Sequence, residues 1–212
     1  MKKIFTFTTL IVFFVFGSNQ VFANDIGFGE ITGDVYVNEY FNMSISVPKG
    51  WAVQSQAAIE EISDRGGDLI AGEDKNLQLA IKEAEKQTVN LFAFFKYEQG
   101  SPVEFNPSII AVAERVTYMP GIKRGSDYLF HVKRILQAGQ VRYTFPQETY
   151  TKEISGVSFD VMPAEISMGA MTVSQEYYAT RIKGYVLSFV LTYSSELEIK
   201  ELTQLIDKIE FL

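Results

Sequence analysis

Hydrophobic and polar residues alternate along the stretch from Val35 to Val47. A period of two residues is typical of a strand with one buried face. The residues that this pattern assigns to the buried face are Phe41, Met43, Ile45 and Val47. The sequence Pro48-Lys49-Gly50 ends the strand, and Trp51, the only tryptophan, follows directly. We therefore expect a turn here, with Trp51 anchoring the first helix against the sheet.

Helical spacing replaces this alternation after Trp51. Residues 54–63 and residues 73–86 carry apolar side chains three and four positions apart, which predicts two amphipathic helices. The sequence DRGGD at residues 64–68 predicts a loop between them. A third helix is predicted from Asp127 to about Gln137, with the hydroxyl of Ser126 as its N-terminal cap.

The remaining apolar segments predict strands. Leu91 to Tyr97 is an aromatic-rich run typical of a central strand that is buried on both faces, and Ile109 to Val116 predicts another strand. Five further strands are predicted between residues 141 and 193, and their short turns imply antiparallel pairing. These turns are placed at Gly156, Gly169 and Lys183-Gly184.

The C-terminal segment predicts an amphipathic helix that covers a sheet. Ser195 and Glu198 have the spacing of a capping box, in which a hydroxyl and a carboxylate accept hydrogen bonds from free backbone amides. The apolar stripe of this helix consists of Leu202, Leu205, Ile206 and Ile209.

The order of these elements resembles that of the Mog1/PsbP-like superfamily. The stretches that carry the resemblance are YFNMSISVPKGW (40–51), VEFNPSIIAVAE (103–114) and GYVLSFVLTYSSELEIKELTQLIDKIEF (184–211). It implies an α+β fold, an α/β/α sandwich with a central antiparallel sheet flanked by helices, in one domain over residues 34–212. The shared residues Pro48, Gly50 and Trp51 are expected to be structural.

The resemblance also implies a class of function. Members of this superfamily include an accessory subunit of the oxygen-evolving photosystem, a binder of a small nuclear GTPase, and exported bacterial proteins without an assigned role. What they share is non-catalytic protein binding, and the superfamily supplies no set of catalytic residues to carry over.

The N-terminal residues have the pattern of a secretory signal peptide. Lys2 and Lys3 precede an apolar run from Ile4 to Phe16, and Val21 and Ala23 occupy the third and first positions before a cut, so residues 1–23 are predicted to be cleaved off. The apolar run is shorter than the roughly 20 residues that span a bilayer, so no stable membrane insertion is expected after cleavage. Residues 24–33, which include three glycines, predict a flexible leader. We expect an exported protein, periplasmic or secreted.

The composition restricts the partners. A formal net charge of −7 disfavours nucleic acid and anionic lipid as ligands. The chain has no cysteine, so the fold must be held by its apolar core.

Residues that could carry chemistry are few. The single histidine, His131, lies in the predicted third helix and is expected to be a helix surface residue. Acidic residues near the DRGGD sequence form a possible metal or carboxylate site, although a solvated loop and an acidic helix start also explain them. They are Asp64, Asp68, Glu73 and Asp74. We predict no catalytic, cofactor-binding or metal-binding residues.

A basic group of residues departs from the acidic background. We identify it as a candidate surface for an acidic partner protein, the alternative being ordinary solvated helix residues. Its members are Lys123, Arg124, Lys133 and Arg134.

Aromatic residues are abundant, and the pattern leaves two interpretations open, a packed core or a pocket for an apolar ligand. They include Phe92, Phe94, Phe95, Tyr97, Tyr143, Phe145, Tyr177, Tyr178, Tyr185, Phe189 and Tyr193.

Three functions are therefore open. The first is an exported, non-catalytic protein-binding or accessory domain with an unidentified protein partner. The second is a binder of a small apolar or aromatic ligand, which requires a cavity lined by several of the aromatics. The third is a carboxylate-dependent enzyme, which requires two acids converging in a cleft.

Overall fold

A computed structural model describes residues 26–168 and 171–212. The predicted signal peptide, its cleavage after Ala23 and the predicted turn at Gly169 lie outside these residues. In chain order the strands are β1 (Glu30–Thr32), β2 (Val35–Asn38), β3 (Met43–Ser46), β4 (Ala52–Val53), β5 (Thr88–Phe95), β6 (Ser108–Arg115), β7 (Tyr143–Thr144), β8 (Tyr150–Ile154), β9 (Val157–Met168), β10 (Met171–Ile182), β11 (Tyr185–Tyr193) and β12 (Glu210–Phe211). The helices are α1 (Gln56–Ala71), α2 (Lys75–Glu85), α3 (Gly125–Ala138) and α4 (Glu196–Ile206).

Two antiparallel sheets organise the fold. The large sheet has eight strands in the order β4-β5-β6-β11-β10-β9-β7, with β8 paired to β9. The small sheet has the order β1-β2-β3-β12. Consecutive strands from β8 to β11 pair with one another along the chain, as their short turns predict.

The large sheet separates two hydrophobic cores. On one face, side chains of α1, α2 and α3 pack against the sheet, among them Ile70, Ile81 and Leu136. On the other face the small sheet and α4 pack, with Phe41 and Leu202 in that core. The predicted α+β sandwich with an antiparallel sheet flanked by helices is confirmed. A small second sheet shares one outer layer with α4.

Several predicted elements have the predicted positions. All residues of β5 are buried, as expected for a central strand covered on both faces. In α4 the Ser195 hydroxyl accepts a hydrogen bond from the Glu198 amide, and the Glu198 carboxylate accepts one from the Ser194 amide at 2.7 Å. The predicted stripe residues Leu202, Leu205 and Ile206 are buried on α4, whereas Ile209, also buried, lies beyond the end of the helix.

The predicted loop at DRGGD is wrong, because α1 continues through it to Ala71. Gly67 faces α2, where an added Cβ would lie 3.1 Å from Ile81 Cγ2. The close approach of the two helices therefore offsets the low helix propensity of glycine. The helix ends one turn later at Gly72, which has a positive φ of 54°.

The N-terminal half of the domain also differs from prediction. The single strand over 35–47 is a hairpin of β2 and β3, with Asn42 in the left-handed region at φ 50°. Residues 30–32, within the predicted leader, form β1 because they pair with β2. Trp51 packs with the core under the small sheet and not with α1.

The start of α3 differs in its cap. Arg124 occupies the N-cap position, and the Asp127 carboxylate accepts hydrogen bonds from the amides of Lys123 and Arg124 at 2.9 and 3.1 Å. The Ser126 hydroxyl is not the cap. The backbone amide of Ser126 instead donates a hydrogen bond to Asp160 Oδ2 at 2.6 Å, which holds the start of the helix against β9.

Asn106, in one of the stretches that carry the resemblance, closes the loop between β5 and β6. It is 5% exposed, its Oδ1 accepts from the Tyr97 amide at 2.9 Å, and its Nδ2 donates to the Tyr97 carbonyl at 2.8 Å. Asn106→Ala is expected to lower the free energy of unfolding by about 2 kcal/mol, because it leaves two backbone groups without partners. Urea denaturation measures this, with Glu104→Ala in the same loop as an exposed control. Equal losses in both variants would contradict the role of Asn106.

Candidate functional site

A cleft of about 450 Å³ opens on the helical side of the large sheet. It lies between α2 and α3 and is bordered by the loop that follows β6. Its walls are largely apolar and include Ala80, Ala84, Met119, Val132 and Ile135. Its polar lining consists of Glu83, Gln87, Glu114, Tyr118, Tyr128 and His131. This volume is within the range of about 300–1,000 Å³ that is usual for ligand sites.

Glu114 is the buried carboxyl group of this cleft. It lies on β6 in phase with Ile110 and Val112, whose side chains face the helices. Because alternate residues of a strand share a face, Glu114 also faces the helical layer. Its side chain belongs to a residue that is only 4% exposed.

Two tyrosines hold the Glu114 carboxyl group. Tyr128 of α3 donates a hydrogen bond from its hydroxyl to Oε2 at 2.7 Å. Tyr118, in the loop after β6, donates to Oε1 at 3.4 Å and is about half exposed. Tyr128 is buried, whereas Tyr118 lies at the opening of the cleft.

The position of Tyr128 depends on how closely α3 approaches the sheet. Gly125 starts the helix directly against β10, where an added Cβ would lie 2.0 Å from the carbonyl oxygen of Ala179. The hydrogen bond from Ser126 to Asp160 fixes the same end. Tyr128 follows within the first turn and is thereby placed over Glu114.

Burial controls the electrostatics of the site. It raises the pKa of Glu114 to about 7, although the hydrogen bonds from Tyr128 and Tyr118 lower it. Burial, followed by the charge of Glu114, raises the pKa of Tyr118 to about 12 and that of Tyr128 well above its usual value. No ion pair to Glu114 is present among the described residues. The carboxyl group can therefore change its charge near neutral pH.

This arrangement can bind a hydrogen-bond donor or exchange a proton, and it offers little else. The other acid of the cleft, Glu83, lies at the exposed rim, where it pairs with Lys86. Within residues 26–168 and 171–212, no group of three or more metal-ligating side chains occurs. Glu114 therefore acts as a single buried carboxyl group.

The predicted acidic candidates lie elsewhere. Asp64 and Asp68 line a groove between α1 and α2 together with Glu85. Burial raises the pKa of Glu85, and the charges of Asp64 and Asp68 raise it further. Asp74 caps α2 by accepting hydrogen bonds from the amides of residues 76 and 77. Asp74 therefore serves as a helix cap apart from the groove that Asp64 and Asp68 line.

The four basic candidates lie at two places along α3. Arg124 lies beside Asp127 at the helix start, with Nε 3.8 Å from Oδ1, and Lys123 precedes it. Lys133, two turns on, places Nζ 4.7 Å from the centre of the Phe145 ring. Arg134 lies beside the exposed ring of Phe130. Their role as a partner surface stays a prediction.

The aromatic residues noted in the sequence serve mainly the cores. Phe92 and Phe94 stack with their ring centres 4.5 Å apart, and Phe159 lies 5.4 Å from Phe189. None of the aromatics proposed for an apolar pocket lines the cleft, whose aromatic residues are Tyr118 and Tyr128.

The sequence patterns do not single out Glu114, Tyr118 or Tyr128. One signal is present, since Glu114 is the only charged residue in phase with Ile110 and Val112 on the strand predicted over residues 109–116. His131 is exposed at the cleft, a helix surface residue as predicted.

Solved structures of similar fold exist. The cyanobacterial PsbP of Synechocystis matches over 87% of this chain and 98% of its own, with 11% identity and a TM-score of 0.48. The Ran-binding protein Mog1p of Saccharomyces cerevisiae matches over 86% of this chain and 96% of its own, with 10% identity and a TM-score of 0.44. LpqN of Mycobacterium tuberculosis, involved in cell envelope biogenesis, matches over 79% of this chain and 82% of its own, with 14% identity and a TM-score of 0.39.

Proteins named PsbP and Mog1, the two names of the superfamily that the sequence resembles, are thus among these structures. At such identities the likeness concerns the fold alone. No protein-family model matches the chain, and no curated protein matches it. None of the helices in the described part of the chain is long and apolar enough to cross a membrane.

Proposed function

We propose that this chain is an exported, non-catalytic accessory protein that binds another protein, and that the Glu114 cleft is the contact site. Export is supported by the signal-peptide pattern of residues 1–23. Binding is supported by one observation above all, the buried carboxyl group of Glu114 at an open cleft. A buried carboxyl group without a cationic partner costs folding free energy, and a group supplied by a partner offsets that cost.

A non-catalytic role is supported by the makeup of the cleft. Acid–base and glycoside chemistry by carboxylates needs a second group positioned opposite the first. The hydroxyls of Tyr118 and Tyr128 both donate to Glu114, and Glu83 is engaged at the rim with Lys86. The polar groups thus stabilise one carboxyl group and leave its acceptor capacity for a ligand.

Blocking the cleft tests this function. Ala80 is exposed on α2 and lines the cleft, so Ala80→Trp is expected to fill the opening without disturbing the core. Leu79→Trp, at a position that is 60% exposed on the same helix and outside the cleft, is the matched control. In quantitative pull-downs from envelope extracts, wild type and Leu79→Trp are expected to retain the same protein. Ala80→Trp is expected to lose it by at least about ten-fold.

Three results would overturn the proposal. The first is retention of the same proteins by Ala80→Trp, and the second is retention of none by wild type. The third is a protein-free ultrafiltrate of the extract that supplies a small molecule bound to wild type but not to Ala80→Trp. That last result would establish the small-ligand alternative at the same cleft.

A further inference from the structure

We infer that the partner inserts a lysine side chain into the cleft and that Glu114 binds its ammonium group. This inference rests on the proposed function of the cleft as the partner site. It names the chemistry of the group that is recognised there.

The unused hydrogen-bonding capacity of the cleft consists of acceptors. A carboxylate accepts at about four positions, and the two tyrosine hydroxyls occupy one on each oxygen of Glu114. Gln87, also in the lining, has a buried Oε1 that accepts no hydrogen bond from the described residues. The group that completes this site must therefore be a donor.

The charge of the surroundings favours a cationic donor. Glu114 is the only acid of the cleft lining without an ion pair among the described residues, because Glu83 pairs with Lys86, and the whole chain carries a formal net charge of −7. Complementary charge steers a basic partner towards such a cleft. The apolar walls at Ala84, Val132 and Ile135 match the methylene stem of a lysine side chain.

Lysine fits the floor of the cleft better than arginine. A guanidinium group gains its advantage from two parallel hydrogen bonds, one to each oxygen of a carboxylate. Here Tyr128 is 2.7 Å from one oxygen of Glu114 and Tyr118 is 3.4 Å from the other. An ammonium group can instead bind through a single hydrogen bond to one of the remaining lone pairs of the carboxylate.

Binding should strengthen as the pH rises from about 6 to about 8. Burial raises the pKa of Glu114 to about 7, so the group gains the charge that attracts an ammonium ion over this range. The other titratable groups that face it in the cleft are Glu83 of α2, Tyr128 and His131 of α3, and Tyr118. Because His131 also lines the cleft, the test includes its replacement.

The direct test is an NMR titration of the full-length protein with short blocked peptides. The peptides contain lysine, Nε-acetyl-lysine or arginine at one position, and butylamine serves as a free amine. At pH 8 the lysine peptide is expected to bind at least about ten-fold more tightly than the other two peptides and to shift the resonances of cleft residues.

Variants assign the effect to Glu114. Glu114→Gln is expected to lose this preference and its pH dependence, whereas His131→Gln should keep both. Asp68→Asn, which removes a carboxylate from the separate groove between α1 and α2, should behave as wild type. The inference would be overturned if His131→Gln lost the pH dependence of binding while Glu114→Gln kept it.

A second arm uses the partner retained in the pull-down. Acetylation of the lysines in the extract is expected to abolish retention, and reductive methylation, which keeps their charge, is expected to preserve it. Equal retention after acetylation would overturn the lysine inference and leave the cleft as the partner site. Binding of butylamine without binding of the lysine peptide would also overturn it, in favour of a free amine. Loss of all retention by wild type would instead remove the proposed function.

Discussion

Gly125→Ala is expected to lower the free energy of unfolding by about 3 kcal/mol, at the upper end of the usual cost of overpacking. The added Cβ would lie 2.0 Å from the carbonyl oxygen of Ala179 and 2.7 Å from its carbonyl carbon. Both are backbone atoms of a central strand, so neither can move aside without disturbing the sheet. The helix must shift instead, which also draws Tyr128 away from Glu114.

Urea denaturation followed by circular dichroism measures this loss. Gly121→Ala is the matched control, because a Cβ at Gly121 would meet no atom within 4 Å. The control is expected to change stability by less than about 0.5 kcal/mol. Equal stability of the two variants would contradict the close contact between α3 and β10.

Glu114→Gln is expected to remove a pH dependence of stability worth about 3 kcal/mol. The pKa of Glu114 is about 7 in the folded protein, against an ordinary value of 4.5. Between these values the folded state binds more protons than the unfolded state, so the free energy of unfolding falls as the pH rises. The contribution is fully present below about pH 4.5 and is lost as the pH rises through about 7. The magnitude follows from 1.36 kcal/mol for each unit of pKa.

The neutral amide of Glu114→Gln binds no proton over this range, so it adds no pH dependence to the free energy of unfolding. The variant is therefore expected to be more stable than wild type at pH 8 and to lose that advantage by pH 5. Denaturation curves of both proteins at several pH values measure the difference between them, in which other titrating groups cancel. Exposed Glu104→Gln should follow the wild-type profile. A difference between wild type and Glu114→Gln that stays constant with pH would contradict the assignment.

The C-terminal half of the fold was predictable because its information is local. The strands from β8 to β11 follow one another closely along the chain, so neighbours in sequence are neighbours in the sheet. The Ser195 cap and the stripe of α4 need only a few adjacent residues. For such elements sequence pattern and structure agree.

The predictions that were wrong concern elements whose structure depends on contacts between residues distant in sequence. The helix continues through Gly66 and Gly67 because α2 packs closely against Gly67, a contact that local propensity does not include. In the hairpin of β2 and β3, the buried residues are even-numbered in β2 and odd-numbered in β3. Asn38 is buried but polar, so the sequence does not reveal this change of phase. A continuous strand was therefore the simpler pattern.

The site was beyond prediction for the same reason. Glu114 and Tyr128 are 14 positions apart, and their hydrogen bond exists only because α3 lies close to β10 at Gly125. The sequence shows a lone acid on a buried strand, but the tyrosine that meets it depends on the packing of a helix whose position no local pattern determines.

The two ends of the described chain have a practical consequence for the cleft. Ile26 belongs to the core under the small sheet, and β12 forms one edge of that sheet. The cleft opens on the opposite face of the large sheet, among α2 and α3. A tag, a fusion partner or an immobilising linker attached after β12 therefore starts away from the cleft, and a protein tethered through it keeps the Glu114 cleft turned towards the solution.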